Sequence, residues 1–236
     1  MNGGLTGRTL ATSELSAAQI GEMVALFALY YDDVALATFQ RDLRTKNWVT
    51  LLFDCDAGRL RGFSTLHIYT TTFQQRPVSV VFSGDTVLER AYRGNYDLPR
   101  IWIHSVLDLC ASLPRPLYWL LISSGYRTYR YLPLFYRTFY PRHDAATPPE
   151  TQALIDHLAT ERFGGQYDAR QGVVRFVQGA TPLRAGEGEI TGDELADPNI
   201  VFFVARNPGH VRGDELVCLT EIDPANFTGL GRMMAS

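Results

Sequence analysis

Two stretches of this 236-residue chain concentrate residue types that do chemistry. The first is SGDTVLERAYRGNYDL, Ser83 to Leu98. A strand-like run ends, Tyr92-Arg93-Gly94 makes a short turn, and a helical pattern begins. The first N–H groups of a helix are unpaired and partly positive, so such a junction is a seat for phosphate. The second stretch is GYRTYRYLPLFYRTFYPR, Gly125 to Arg142, in which aromatics and arginines alternate around Pro133. It fits a nucleic-acid surface, a membrane-seeking segment or the wall of a buried site. The net charge of −3 argues against a general nucleic-acid binder, which needs an excess of Lys and Arg. An interfacial helix would segregate its faces, whereas Tyr126, Tyr129, Phe135, Phe139 and Tyr140 point several ways. The wall of a site is the reading that remains.

The elements around these stretches read as a mixed α/β domain. Ser13 or Ser16 caps a helix whose apolar stripe is Ile20, Met23, Val24, Phe27 and Tyr30 or Tyr31. Asp32-Asp33 ends it, and a second helix follows through Val34, Leu36, Phe39 and Leu43. Residues 48–54 and 59–73 form a hairpin around Asp56-Ala57-Gly58, and 78–88 is a third strand. Gly84, inside that strand, marks a bulge or a close backbone approach. A helix with Pro99 in its first turn leads to LYWLLIS, 117–123, an apolar run suited to a strand covered on both faces. This strand–helix–strand unit implies one parallel pair in an otherwise antiparallel sheet. Further on, 148–164 reads as a helix, GVVRFVQG as a strand, RAGEGEITGDELADP as a surface loop, NIVFFVARNPG as a short helix and 215–222 as a closing strand.

The organisation expected is a loose leader over 1–13, a core over 14–145, a C-terminal elaboration of the same domain over 146–223, and a frayed tail over 224–236. Cys55, Cys110 and Cys218 are far apart and lack CxxC spacing, which excludes a disulfide framework and a zinc knuckle. With no signal-peptide pattern and no apolar run long enough to span a bilayer, a soluble cytoplasmic protein is expected.

The order of elements over 14–140 resembles the GNAT acyltransferase superfamily. In that family a strand and a turn of the form Q/R-x-x-G-x-G/A cradle the pyrophosphate of coenzyme A; here Arg93-Gly94 matches the start of the turn. A later F/L-Y-x-x-x-G-F segment has its counterpart in Leu134-Phe135-Tyr136-Arg137-Thr138-Phe139-Tyr140. The resemblance implies a GNAT-like, mostly antiparallel central sheet flanked by helices, splayed near Gly84 to admit a pantetheine arm. It implies transfer of an acyl group from an acyl-CoA or acyl-carrier-protein thioester to an amine, by direct attack, without metal or covalent enzyme intermediate. Tyr136 falls where the family places the general acid for the thiolate. Asp85, Glu89 and His67 are the candidate bases. Thr86, Val87, Leu88, Arg93, Gly94, Asn95, Tyr96, Ser123 and Ser124 are placed at the donor, Ser123-Ser124 serving equally as a helix cap. Asp32, Asp33 and Tyr129 are placed at the acceptor, a small-molecule or peptide amine. An acyl carrier protein and a second copy of the chain are the protein partners left open.

The departures shape the expectation. Asn95-Tyr96-Asp97-Leu98 stands where R-G-I-G is usual; Tyr96 crowds the phosphate approach and Asp97 adds negative charge. Donor binding is therefore expected to rely less on phosphate and more on the aromatic wall, which suits a medium or fatty acyl chain at ~0.8 kcal/mol per buried methylene. The rival is a GNAT-shaped binding or docking protein without catalysis.

Overall fold

The computed structural model describes residues 4–176 and 181–236. The chain opens with a strand, β1 (Leu5–Ala11), then α1 (Ala17–Phe27) and α2 (Leu36–Leu43). Ser16 caps α1 and exchanges hydrogen bonds with Gln19, while Asp33, at φ 56°, turns the chain between the helices. Three long strands follow, β2 (Trp48–Asp54), β3 (Leu60–Phe73) and β4 (Arg76–Leu88), and α3 (Asp97–Leu109) crosses to β5 (Leu117–Ser123). The aromatic run folds as two short helices, α4 (Tyr126–Tyr129) and α5 (Tyr131–Phe135), before the short strand β6 (Phe139–Tyr140). Then come α6 (Pro149–Phe163), β7 (Tyr167–Asp168), β8 (Val173–Val174), α7 (Pro198–Arg206), β9 (Glu215–Glu221) and α8 (Gly229–Ala235).

All strands join one sheet in the order β1-β2-β3-β4-β5-β9-β8-β7, with β6 also on β9. It is antiparallel except for β4 and β5, which run parallel from Ser79↔Leu117 to Ser83↔Leu121. Alternation along each strand sorts the core onto two faces. Phe63, Phe82, Leu120 and Val217 lie under α1, α2 and α6, while Leu66, Val81, Leu121 and Cys218 lie under α3, α5, α7 and α8.

Two features of this sheet position the site. Thr65 of β3 stands opposite both Gly84 and Asp85, so β4 carries a bulge there. Immediately before it, the pairing of β4 with β5 stops at Ser83/Leu121; β4 continues against β3 alone, and β5 against β9. The indole of Trp119 donates to the Ser83 hydroxyl (2.8 Å) beside this last rung. The sheet parts beyond it.

Four expectations need correction. Residues 5–11 are not a loose leader: LTGRTLA pairs residue for residue with β2, and Leu5 and Leu10 are buried. The tail is not frayed: Thr228 caps α8 (3.0 Å to the Gly231 N–H), and Met234 packs into the core. Tyr136 is not helical but extended, just past α5. Pro133 has no N–H to offer the Tyr129 carbonyl, which divides the run into two short pieces. Of the expected strand GVVRFVQG, only Val173–Val174 is paired; 177–179 lie outside the described residues.

The packing of α8 is directly testable. A Cβ on Gly231 would come within 2.2 Å of the Phe135 carbonyl oxygen. Gly231→Ala is expected to lower stability by about 1–3 kcal/mol in urea denaturation; an unchanged midpoint would mean that the helix is not docked.

Candidate active site

Where β4 and β5 part, two cavities open on opposite faces of the sheet. On the α1, α2 and α6 face lies a cavity of about 730 Å³. On the α3, α5 and α8 face lies a slit of about 50 Å³, bounded by Trp102, Trp119, Tyr131, Phe135 and Tyr136. Thr86 of β4 and Thr128 of α4 line both, so the two spaces meet at the parting. The bulge, the single parallel pair and the notch are the arrangement expected from the sequence.

No family model matches the sequence, and no curated protein matches it. Among solved structures, similar ones include an aminoglycoside acetyltransferase from an uncultured soil metagenomic sample, with 17% identity over 50% of this chain and 78% of that one (TM-score 0.37). An Escherichia coli GNAT-family N-acetyltransferase in complex with CoA shares 15% identity over 56% and 70% (TM-score 0.39). An Enterococcus faecalis protein described as a probable N-acyltransferase shares 11% over 93% and 66% (TM-score 0.42).

The chemistry of the wide cavity is carried by a buried charge cluster. Lys46, almost fully buried, reaches under β4 and donates to Asp42 Oδ2 (2.6 Å). Asp85, on the bulge, lines the same cavity as Asp42 and lies within its electrostatic reach. Glu215, at the head of β9, completes the acidic set. Burial pushes the Asp85 carboxyl up to about 7; the Asp42 carboxylate adds to the rise and Lys46 opposes it. Glu215 is pushed up to about 8, again by burial first and then by Asp85 and Asp42. Tyr31, also on the wall, is raised by burial and by the same carboxylates.

His67 lines the cavity with its ring stacked on Tyr69. Its Nδ1 lies 2.8 Å from Arg162 Nη1. A guanidinium only donates, so Nδ1 accepts and the proton sits on Nε2. Burial, then Arg162 and Lys46, push His67 down to about 4. At neutral pH it is an uncharged imidazole whose Nδ1 is already occupied.

The other sequence-expected residues divide. Thr86 stands at the junction and shares a hydrogen bond with Ser64 (2.8 Å). Ser123 and Ser124 line the wide cavity, and the Ser123 hydroxyl also organises the turn at Gly125 (2.6 and 3.2 Å). Tyr136 lines the slit, packed between Trp119 and Phe227, its phenol raised by burial. Glu89 lies in neither cavity but pairs with Arg61 (2.7 Å), while Val87 and Leu88 are core. Asp32 accepts from Arg184 (3.2 Å), and neither it nor Asp33 lines the cavity. Tyr129 is core as well, its hydroxyl bonded to the Pro141 carbonyl (3.0 Å).

The phosphate seat is the largest departure. Arg93 donates to Glu187 (2.7 Å) and to the Leu88 carbonyl (3.0 Å), and lies over the Tyr30 ring. Arg90 also pairs with Glu187, which is buried. Burial alone would raise the Glu187 carboxyl, but hydrogen bonds from Arg93 and Arg90 hold it below the usual range. At the start of α3, the Asp97 N–H is turned to Asn95, Pro99 has none, and Asp97 receives the Leu5 N–H (3.0 Å). Only the Leu98 N–H is left free in that first turn, among the described residues. Gly94 does adopt positive φ (92°), and Tyr96 is exposed with its ring edge-on to Phe135. The residues present do not make a pyrophosphate cradle. Residues 184–198, expected as a surface loop, supply the Glu187 carboxylate that holds both arginines of the turn.

Asp42, Lys46, Arg162, Glu187 and Glu215 went unmarked in the sequence. The one signal was an acidic residue heading the apolar strand ELVCLTEI.

The raised carboxyls set a pH dependence of stability. Asp85 and Glu215 hold protons more tightly folded than unfolded. At these two positions the folded chain binds more protons from the ordinary carboxylate range up to about pH 7–8, so their contribution to stability falls as pH rises through that window. Asp85→Asn and Glu215→Gln, which cannot ionise, are each expected to flatten this decline and raise the thermal midpoint at pH 8 by a few degrees. Parallel curves for wild type and variants between pH 5 and 8 would contradict it.

Proposed function

We propose that this protein is an N-acyltransferase that transfers an acyl group from a pantetheine-type thioester, entering by the slit, to an amine held in the wide cavity. The observation that carries this reading is the meeting of the two cavities at Thr86 and Thr128, with carboxyls on one side and a buried phenol on the other. Such a notch lets two substrates approach from opposite faces and meet in attacking geometry.

The acceptor enters as an ammonium, drawn by Asp42, Asp85 and Glu215. Asp85, with its carboxyl near 7, takes the proton, directly or through Glu215. The free amine attacks the thioester carbonyl. Beyond Ser83, β4 no longer has β5 as a partner, so a backbone N–H on that side is available to the developing oxyanion. The carbon–sulfur bond then breaks, Tyr136, protonated at any working pH, supplies the proton to the leaving thiolate, and the second proton lost by the attacking nitrogen restores the phenol. No metal is required by this sequence of steps.

The slit, about 50 Å³, takes only the acyl and thioester end of such a donor, with the pantetheine arm along its open mouth. That supports a short acyl group over the fatty chain that the aromatic run suggested. The occupied arginines support a donor held by its pantetheine arm, whether on coenzyme A or on a carrier protein. They also favour the second reading, a GNAT-shaped binding protein without turnover, which would retain ligand but release no product.

The test is a donor and acceptor panel read by mass spectrometry. Acetyl-pantetheine, which lacks the pyrophosphate, is expected to serve nearly as well as acetyl-CoA, and palmitoyl donors poorly. Asp85→Asn is expected to lower kcat ~10²–10⁴-fold, and Tyr136→Phe to lower it less. The rate should rise with pH through about 7. Absence of turnover with every thioester, or full activity in both variants, would reject the proposal.

A further inference from the structure

Arg162 has no role in the mechanism above. It sits in the last turn of α6 and lines the wide cavity, its guanidinium 3.6 Å from the centroid of the Phe82 ring. Of the other half-buried arginines, Arg61, Arg93, Arg130, Arg142 and Arg175 each contact a carboxylate, and Arg206, outside the cavity, does not. Arg162 instead donates to a neutral imidazole, His67 Nδ1, and has no carboxylate partner among the described residues. Glu161, its chain neighbour, also lines the cavity but accepts from Thr71 (3.3 Å) and faces His157 (4.0 Å). A partly desolvated cation without a counter-ion is costly unless something else supplies the charge.

We propose that the wide cavity takes an acceptor bearing a carboxylate as well as its amine, an amino-acid-like zwitterion, with the carboxylate on Arg162 and the ammonium at Asp85 and Glu215. This rests on the acyltransferase reading for its chemistry, though not for the binding itself. A planar guanidinium matches a carboxylate in two parallel hydrogen bonds. His67 keeps its proton on Nε2 and so offers a further donor on the same wall. Phe82 supports the guanidinium from below and fixes its plane.

The charges of the cavity are ordered in the sense that a zwitterion needs. Arg162 and His67 are at the α6 end, and Asp85 and Glu215 are at the β4–β9 end. Lys46 and Asp42 stand between: Lys46 acts on both His67 and Asp85, and Asp42 on both Arg162 and Asp85. These two neutralise each other at 2.6 Å, which leaves Arg162 as the half-buried cation of the cavity, with Arg41 exposed on its rim. A carboxylate suits such a site better than a phosphate dianion, which would meet the acidic set at the other end. A cavity of about 730 Å³ has room for such an acceptor beside the bulge.

The experiment is calorimetric titration of the full chain, without donor, with amino acids, their carboxamides and the amines lacking the carboxyl group. Turnover with acetyl-pantetheine is then read separately on the same panel. At least one acid is expected to bind ~10- to 100-fold more tightly than its own amide, the range for a hydrogen-bonded charge. Arg162→Gln should erase that preference, and Arg162→Lys should keep part of it. The acid-to-amide comparison in the wild type needs no variant, so a folding defect in Arg162→Gln would not obscure the result. Acids and amides binding alike, or no acid binding, would overturn the inference even if amines are acylated. Acids bound through Arg162 without turnover from any thioester would leave the carboxylate seat standing and remove the acyltransferase reading.

Discussion

The site depends on the loss of one ladder. Up to Ser83/Leu121, β4 and β5 are ordinary parallel neighbours; one residue later they are apart. The bulge at Gly84–Asp85 makes the parting local, because it turns β4 toward β3 while β5 stays with β9. Gly84 also has a second task. A Cβ there would lie 2.5 Å from Lys46 Cε and 2.7 Å from Thr65 Oγ1. The missing side chain is what lets Lys46 pass beneath the strand and reach Asp42. The backbone feature that opens the cavity is therefore also the one that admits the cation that moderates its acids.

That moderation is partial, and the imbalance is what makes the cavity reactive. Three carboxyls face one ammonium. Full ionisation of all three in a partly desolvated space would be opposed by mutual repulsion and by burial. Asp42 keeps the lysine, at 2.6 Å. Asp85 and Glu215 are left to hold protons into the neutral range. Groups that release and accept protons near neutrality arise here first from burial and then from carboxyls that share a single counter-ion. At the far end the inequality is reversed, with Arg162 lacking the carboxylate that Asp42 has given to Lys46.

Much of the scaffold was legible because it is local. The hairpin strands, the apolar run of β5, the capped α1 and the glycine in β4 all carry their signals within a few residues. What failed did so for physical reasons. LTGRTLA has a short edge-strand pattern diluted by glycine and threonine, and only its register with β2 reveals it. DPANFTGLGRMMAS has two glycines and small residues in its last turns, yet Gly231 is there to let the helix touch the Phe135 carbonyl. Asp85, Thr86, Ser123 and Tyr136 were legible through their place beside the notch. Asp42, Arg162 and Glu215 were not, since three separate elements bring them to one cavity. Tyr129, Asp32 and Glu89 were misplaced for the converse reason: each finds a partner that its own neighbourhood in sequence does not announce.

Glu187 shows how far such a partner can reach. It lies 94 residues beyond Arg93, in a polar, glycine-rich segment that reads as free surface. In the folded chain it is buried and holds both arginines of the turn. An internal carboxylate thus sits on the arginines of the turn that the sequence assigned to phosphate. It is tethered, so a free anion competing for the same arginines must displace a group with a high local concentration. Asp97 reinforces the point at the neighbouring helix start, where its own charge meets the positive end of α3. The C-terminal third therefore packs its own carboxylate onto this turn, and the electrostatic demand of the turn and of the helix start is met from within the chain.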